Sequence, residues 1–214
     1  MRSLSVGLLV IFAASSLVLA DPAKTWSPNW SASFTEQAYF FLQGNFTTTG
    51  KFMYDAVNHR LRVTRVNGKA DRYCGTVYPM ANTPCEHLVV SGKRLLVFPE
   101  KKYCCSCCEA VHGCGFTKPD WIKGGELIGQ VQVGTIPTNM YLIKGLQDNF
   151  YAETIDGQIP AKIYMSPNTD MIFKTSTYAE SSVTDADFAL PGWAGSCEKR
   201  CPVLSICTAA RMAS

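Results

Sequence analysis

The chain has 214 residues, of which 47% are hydrophobic and 17% charged, with a formal net charge of +3 at neutral pH. So near-neutral a balance, with no basic stripe and no acidic tail, excludes a surface built for nucleic acid or for a strongly charged partner. The outlying count is cysteine, at ten.

Residues 1–20 open with Arg2, run apolar from Leu4 to Leu19, and place small residues, Val18 and Ala20, at the −3 and −1 positions of a cleavage site. That is the pattern of a signal peptide, so the mature chain is expected to begin at Asp21 in an oxidising lumen or outside the cell. The apolar run is short for a hydrocarbon layer of roughly 30 Å and no second span follows, so no transmembrane segment is expected after cleavage. Residues 21–214 carry no repeat, no low-complexity stretch and no linker, and are expected to form one β-rich domain with a sizeable core.

The mature N-terminus is crowded with aromatics: Trp26, Trp30, Phe34, Tyr39, Phe40 and Phe41, then Phe46, Phe52 and Tyr54. Two sequons, at Asn29 and Asn45, are candidate glycosylation sites on a secreted chain. From Phe40 to Phe173 the dominant period is two. Lys51 to Tyr54 and Leu61 to Val66 flank a turn over residues 55–58 and are expected to pair as an antiparallel hairpin, with Asn67-Gly68 as a further hairpin signal. His87 to Val90 and Arg94 to Phe98 flank Ser91-Gly92 as another. Gln130 to Val133, Asn139 to Lys144, Asn149 to Ile155, Pro160 to Met165 and Met171 to Thr175 are strand candidates, with turns at Asp156-Gly157 and Ser166-Pro167-Asn168. Helix is expected only at Cys104 to Val111, ended by Gly113, and in a turn opened by Pro119. The fold class is therefore mainly β: a curved antiparallel sheet or pair of sheets, half-barrel or sandwich, with one or two short helices and a disulfide-rich insert.

Cys74, Cys85, Cys104, Cys105, Cys107, Cys108, Cys114, Cys197, Cys201 and Cys207 form an even set and are all expected in disulfides. Five bridges can be drawn in about 945 ways, so the connectivity stays open. Neighbouring cysteines rarely bridge each other, so the four within 104–108 should each find a partner elsewhere.

The string from Gly50 to Asp55, then Arg60-Leu61-Arg62-Val63, and the late Asp187-Phe188-Ala189-Leu190-Pro191 ahead of a cysteine, are similar to motifs of secreted ependymin-related proteins, within a wider group of LolA-like lipoprotein-carrier folds. The resemblance implies a strongly curved antiparallel sheet around an apolar pocket, and binding of hydrophobic molecules and calcium outside cells. The cysteines of 104–108 depart from that pattern, and no site residue is transferred.

Catalytic chemistry finds little support. Cys108 lies four residues before His112, but no protease signature surrounds it and oxidised sulfur is no nucleophile. Cysteines near His112 could ligate zinc, yet the compartment favours disulfides, and a thioredoxin-like strand and helix context for redox exchange is missing. Asp185 and Asp187, and the scattered Asp148, Glu153 and Asp156, match no calcium loop, while His59 and His87 read as surface or satisfied histidines. The expected function is non-enzymatic, without cofactor or metal: binding of a hydrophobic small molecule or lipid in a sheet-lined cleft, with Leu61 or Val63 as inward-facing strand residues. The alternative is an extracellular adhesion module with a fully packed core.

Overall fold

The computed structural model describes residues 25–40, 44–145, 148–165 and 168–212, so the expected signal peptide, Phe41 and most of the turn at 166–168 lie outside the described residues. Twelve strands form one sheet: β1 Asn29–Phe40, β2 Gly44–Asp55, β3 Arg60–Arg65, β4 Cys85–Val90, β5 Lys93–Phe98, β6 Tyr103–Glu109, β7 Glu126–Val133, β8 Ile136–Ile143, β9 Asn149–Thr154, β10 Pro160–Met165, β11 Thr169–Phe173 and β12 Ala179–Glu180. The spatial order is 6-5-4-3-2-1-11-10-9-8-7, with β12 against the start of β1. Two antiparallel meanders therefore meet where β1 pairs with β11, from Phe34 opposite Phe173 to Ala38 opposite Thr169. The mainly β, open curved antiparallel sheet expected from the alternation is the architecture observed. Among the described residues the two α-helices are α1 Arg72–Val77 and α2 Ile206–Met212. No helix among the described residues is long and apolar enough to cross a membrane.

Register fixes which side chains share a face. Leu61, Val63 and Arg65 stand opposite Val89, His87 and Cys85, and Val89 and His87 stand opposite Arg94 and Leu96. On the other side, Val63 pairs with Phe52, Phe52 with Ala32, and Glu36 of β1 with Met171. This inner face carries two apolar clusters. One holds Trp26, Trp30, Phe34, Phe52, Tyr54, Leu61, Val63, Val89, Tyr141, Tyr151, Ile163, Met171 and Phe173. The other is built from Leu96, Phe98 and eight half-cystines, capped by α1 and α2. The outer face carries a third cluster, in which Met53, Leu88, Leu95 and Val97 are covered by Val183, Phe188 and Cys197 of the C-terminal return.

The expected helix at 104–111 is instead β6, an edge strand paired with β5. Strand alternation suits the bridges better than a helix would. It sends Cys104 to the outer face, where it bridges Cys197, and Cys105 to the inner face, where it bridges Cys201. A register shift opposite Arg94 and Leu95 then breaks the alternation, so that Cys107 and Cys108 are both buried and reach Cys207 and Cys114. The fifth bridge joins Cys74 of α1 to Cys85 of β4. The exposed edge of β6 is covered by the same C-terminal segment: Ser106 N–H donates to Lys199 and the Ser106 carbonyl accepts from Cys201.

Two further expectations need correction. Asn67-Gly68 is no hairpin turn; the Asn67 side chain accepts from Lys69 N–H at 3.0 Å and starts the helical excursion, and a Cβ on Gly68 would lie 2.8 Å from the Thr83 carbonyl. After Pro119 the chain makes successive turns closed at Trp121, Lys123 and Gly125, without continuing as a helix.

Candidate functional site

The connection from β6 to β7 crosses the inner face. Tyr54 Oη donates to the Thr117 carbonyl at 2.8 Å, Trp26 N–H donates to the Pro119 carbonyl at 2.9 Å, and Ile122 is buried in the aromatic cluster. On the other side the α1 segment lies over the same face. Between these two covers and the sheet is a cavity of about 570 Å³, within the roughly 300–1,000 Å³ usual for small-molecule sites. Part of its lining is apolar, from Trp26, Trp121, Phe52, Leu61, Val63, Val89, Ile163 and Met171, and part is polar, from Glu36, Arg65, Asp71, Arg72, Tyr73, His87 and Arg94.

The apolar part follows from period two. Leu61 and Val63, the two residues expected to face inward, share the inner face, line the cavity and are both buried. Most of the N-terminal aromatics pack around them: Trp30 stacks on Phe52 with ring centroids 4.9 Å apart, and Trp26 meets Trp121 edge-on at 5.3 Å. Tyr39, by contrast, is exposed.

The polar part breaks the same period-two pattern. Glu36, Arg65, His87 and Arg94 occupy inward positions on β1, β3, β4 and β5 where the register otherwise places apolar side chains, and they form a seam between the two inner clusters. Arg65, 5% exposed, gives its Nε–H and Nη2–H to the Glu36 carboxylate and lies 3.5 Å from Asp71. Asp71 caps α1, accepting from the amides of Tyr73 and Cys74 at 2.9 Å each, and stands 2.9 Å from His87 Nε2. Burial would push the Asp71 carboxyl up, but His87, Arg65 and the amide donors hold it well below the usual carboxylate range. Burial pushes the His87 imidazole down, against the pull of Asp71. Gly50 makes room for this seam: a Cβ there would meet the Thr64 carbonyl at 1.8 Å and the Phe34 ring at 2.6 Å.

Asp71, Cys74 and His87 bring possible metal-ligating atoms within 4.8 Å of one another. The set is already spent, because Cys74 is bridged to Cys85 and the Asp71 oxygens hold α1, His87 and Arg65. His112 is part of a reciprocal cap with Glu109 and is not itself among the residues lining the cavity, although its neighbour Gly113 is. The ten cysteines lie along α1, β4, β6, the start of the β6–β7 connection and the C-terminal return, and work as fastenings of the covers over both faces. Of the two sequons, Asn45 is exposed on β2, whereas Asn29 is half-buried and uses both ends of its amide on the Val183 backbone, at 3.2 and 3.3 Å.

The motif residues of the ependymin resemblance lie together. Arg62 donates to the carbonyls of Asp187 and Ala189 at 2.8 and 3.1 Å, and the Arg60 guanidinium sits 4.5 Å over the Phe188 ring. Arg60, Arg62 and Phe188 fasten the C-terminal return to the outer face, away from the cavity, whereas Phe52, Leu61 and Val63 of the same motifs line it.

No protein-family model matches the chain, and no curated protein matches it. Among solved structures, an uncharacterized conserved protein from Thermus thermophilus is similar over 81% of this chain and 90% of its own, at 8% identity and a TM-score of 0.49. A LolA superfamily protein from Nitrosomonas europaea is similar over 77% and 91%, at 6% identity and a TM-score of 0.35. A putative outer membrane lipoprotein-sorting protein domain from Vibrio parahaemolyticus is similar over 75% and 88%, at 7% identity and a TM-score of 0.35. These neighbours include the LolA side of the resemblance stated above; the ependymin side rests on the motif residues alone.

Proposed function

We propose that the protein is a non-enzymatic binder of a hydrophobic, lipid-like molecule, held in the cavity on the inner face of the sheet. The single observation that carries this is a space of about 570 Å³ walled by buried apolar side chains of β2, β3, β4, β10 and β11. A sheet packed against its covers without a guest would leave few voids larger than a water molecule. Transfer of hydrocarbon from water contributes about 0.8 kcal/mol per methylene, enough for micromolar affinity with a long chain after the cost of association. Five disulfides support work in an oxidising compartment, outside the cell or in the endomembrane lumen. Glu36, Arg65, Asp71 and His87 beside the cavity are committed to one another, and Asp71 also to backbone amides, which suits holding a ligand better than turning one over.

The test fills the space. The neutral fluorophore N-phenyl-1-naphthylamine should bind delipidated protein saturably, and Ile163→Trp, placed among the apolar lining, should weaken it about tenfold while leaving the melting temperature unchanged or higher. In an adhesion module with a filled core, the probe would not bind and the same substitution would overpack the site, costing about 1–3 kcal/mol.

A further inference from the structure

Resting on that reading, we infer that the polar part of the cavity is a seat for an anionic head group, so that the ligand is a single-chain amphiphile ending in a carboxylate or phosphate. Three arginines converge there and only two carboxylates answer them. Arg65 takes both Glu36 and part of Asp71, and its buried Nη1 still has no partner. Arg94 has no carboxylate within ion-pair reach among the described residues; its buried Nε is unpaired, and the guanidinium lies 5.4 Å from the centre of the Tyr73 ring. Arg72 lies 5.3 Å from the centre of the same ring.

A guanidinium beside a cavity with unpaired N–H groups is costly to keep unless an anion completes it, because its donors are removed from water without a substitute. With Glu36 and Asp71 both ionised, one positive charge is left over, the complement of one head group. Arg94 stands directly opposite Val89, which lines the apolar part of the same cavity, so one extended molecule can lay its chain on the apolar wall and its head against the arginines. Guanidinium geometry suits a carboxylate or phosphate oxygen pair held by two parallel hydrogen bonds.

The experiment compares oleate, oleyl alcohol and methyl oleate as competitors of N-phenyl-1-naphthylamine on the full chain, with acetate and inorganic phosphate alone as further arms. Oleate should compete about tenfold or more better than the alcohol or ester, the size expected of one charge-assisted hydrogen-bonded contact. Arg94→Gln should reduce that advantage to about threefold or less with binding of the neutral probe unchanged, and the exposed Arg72→Gln should do so in part. The wild-type comparison decides even if Arg94→Gln fails to fold. Equal competition by acid and alcohol, with the neutral probe bound, overturns the head-group seat and leaves the binding reading intact. Failure of the neutral probe itself removes the binding reading first. Stabilisation by acetate or inorganic phosphate without any preference for oleate would also overturn it, since the site would then hold a free anion and not the end of a lipid.

Discussion

The three bridges from β6 to the C-terminal return should not contribute independently. Cys104, Cys105 and Cys107 are tied to Cys197, Cys201 and Cys207 across sequence separations of 93, 96 and 100. While any one of them stands, the long loop is closed, and each additional bridge closes only a ring of roughly five to eight residues, for which chain entropy gives about 2–2.5 kcal/mol. The last bridge to be removed opens the long loop itself, at about 4.7 kcal/mol by the same relation. Together they amount to roughly 9 kcal/mol, against a usual domain stability of about 5–15 kcal/mol. Cys→Ser pairs removed one, two and three at a time, in every order, and followed by urea unfolding should therefore show two similar decrements and then one about twice as large. The protein lacking all three should be secreted poorly. Three equal decrements would refute the reasoning, as would a third step no larger than the first, because the covers would then be held by packing alone.

Two groups of the buried seam, His87 and Asp71, give an acid-sensitive stability. His87, facing Asp71, Arg65 and Arg94, has its folded pKa below the unfolded value of about 6.5, so the unfolded chain binds more protons and stability falls as pH drops through that value; Asp71, also lowered, adds a loss below about pH 4. Thermal melts from pH 7.5 to 5 should show this decline, and His87→Gln should flatten it. Gly50→Ala should cost about 3 kcal/mol or more in chemical unfolding, since its Cβ would collide with the backbone of β3. Peptide mapping of the protein expressed through a glycosylating secretory pathway should find glycan at Asn45 and little at Asn29, whose side chain is engaged with Val183.

The strands are legible in the sequence because each core strand alternates and is bounded by turn residues. Leu61 and Val63, His87 to Val90 and Arg94 to Phe98 lie where the pattern puts them. The cysteine-rich segment reads as helix because six half-buried or buried positions in a row, from Tyr103 to Cys108, carry no apolar-polar contrast, so periodicity has nothing to act on. Only pairing with β5 and the partners of each sulfur show it to be an edge strand with a bulge. The polar seam escapes for a different reason. Glu36, Arg65, His87 and Arg94 each occupy one position on a separate strand, and only the sheet order brings them together. A signal does exist: Glu36 keeps the parity of Trp30, Ala32 and Phe34, and Arg65 that of Leu61 and Val63. A charge in the inward register of an apolar strand marks a buried pair or a ligand seat. Asp71 and Arg72 carry no such signal, because they open a short helix that follows a single helical turn entered at Asn67-Gly68, which has the residues of a hairpin turn.

The most direct test of the account is native mass spectrometry of the protein purified without detergent from the cells that make it. It should show one apolar adduct per chain, released into organic solvent on extraction and restored to the stripped protein at the same stoichiometry. A bare polypeptide and glycan mass, together with stripped protein that takes up neither oleate nor the neutral probe, would contradict it.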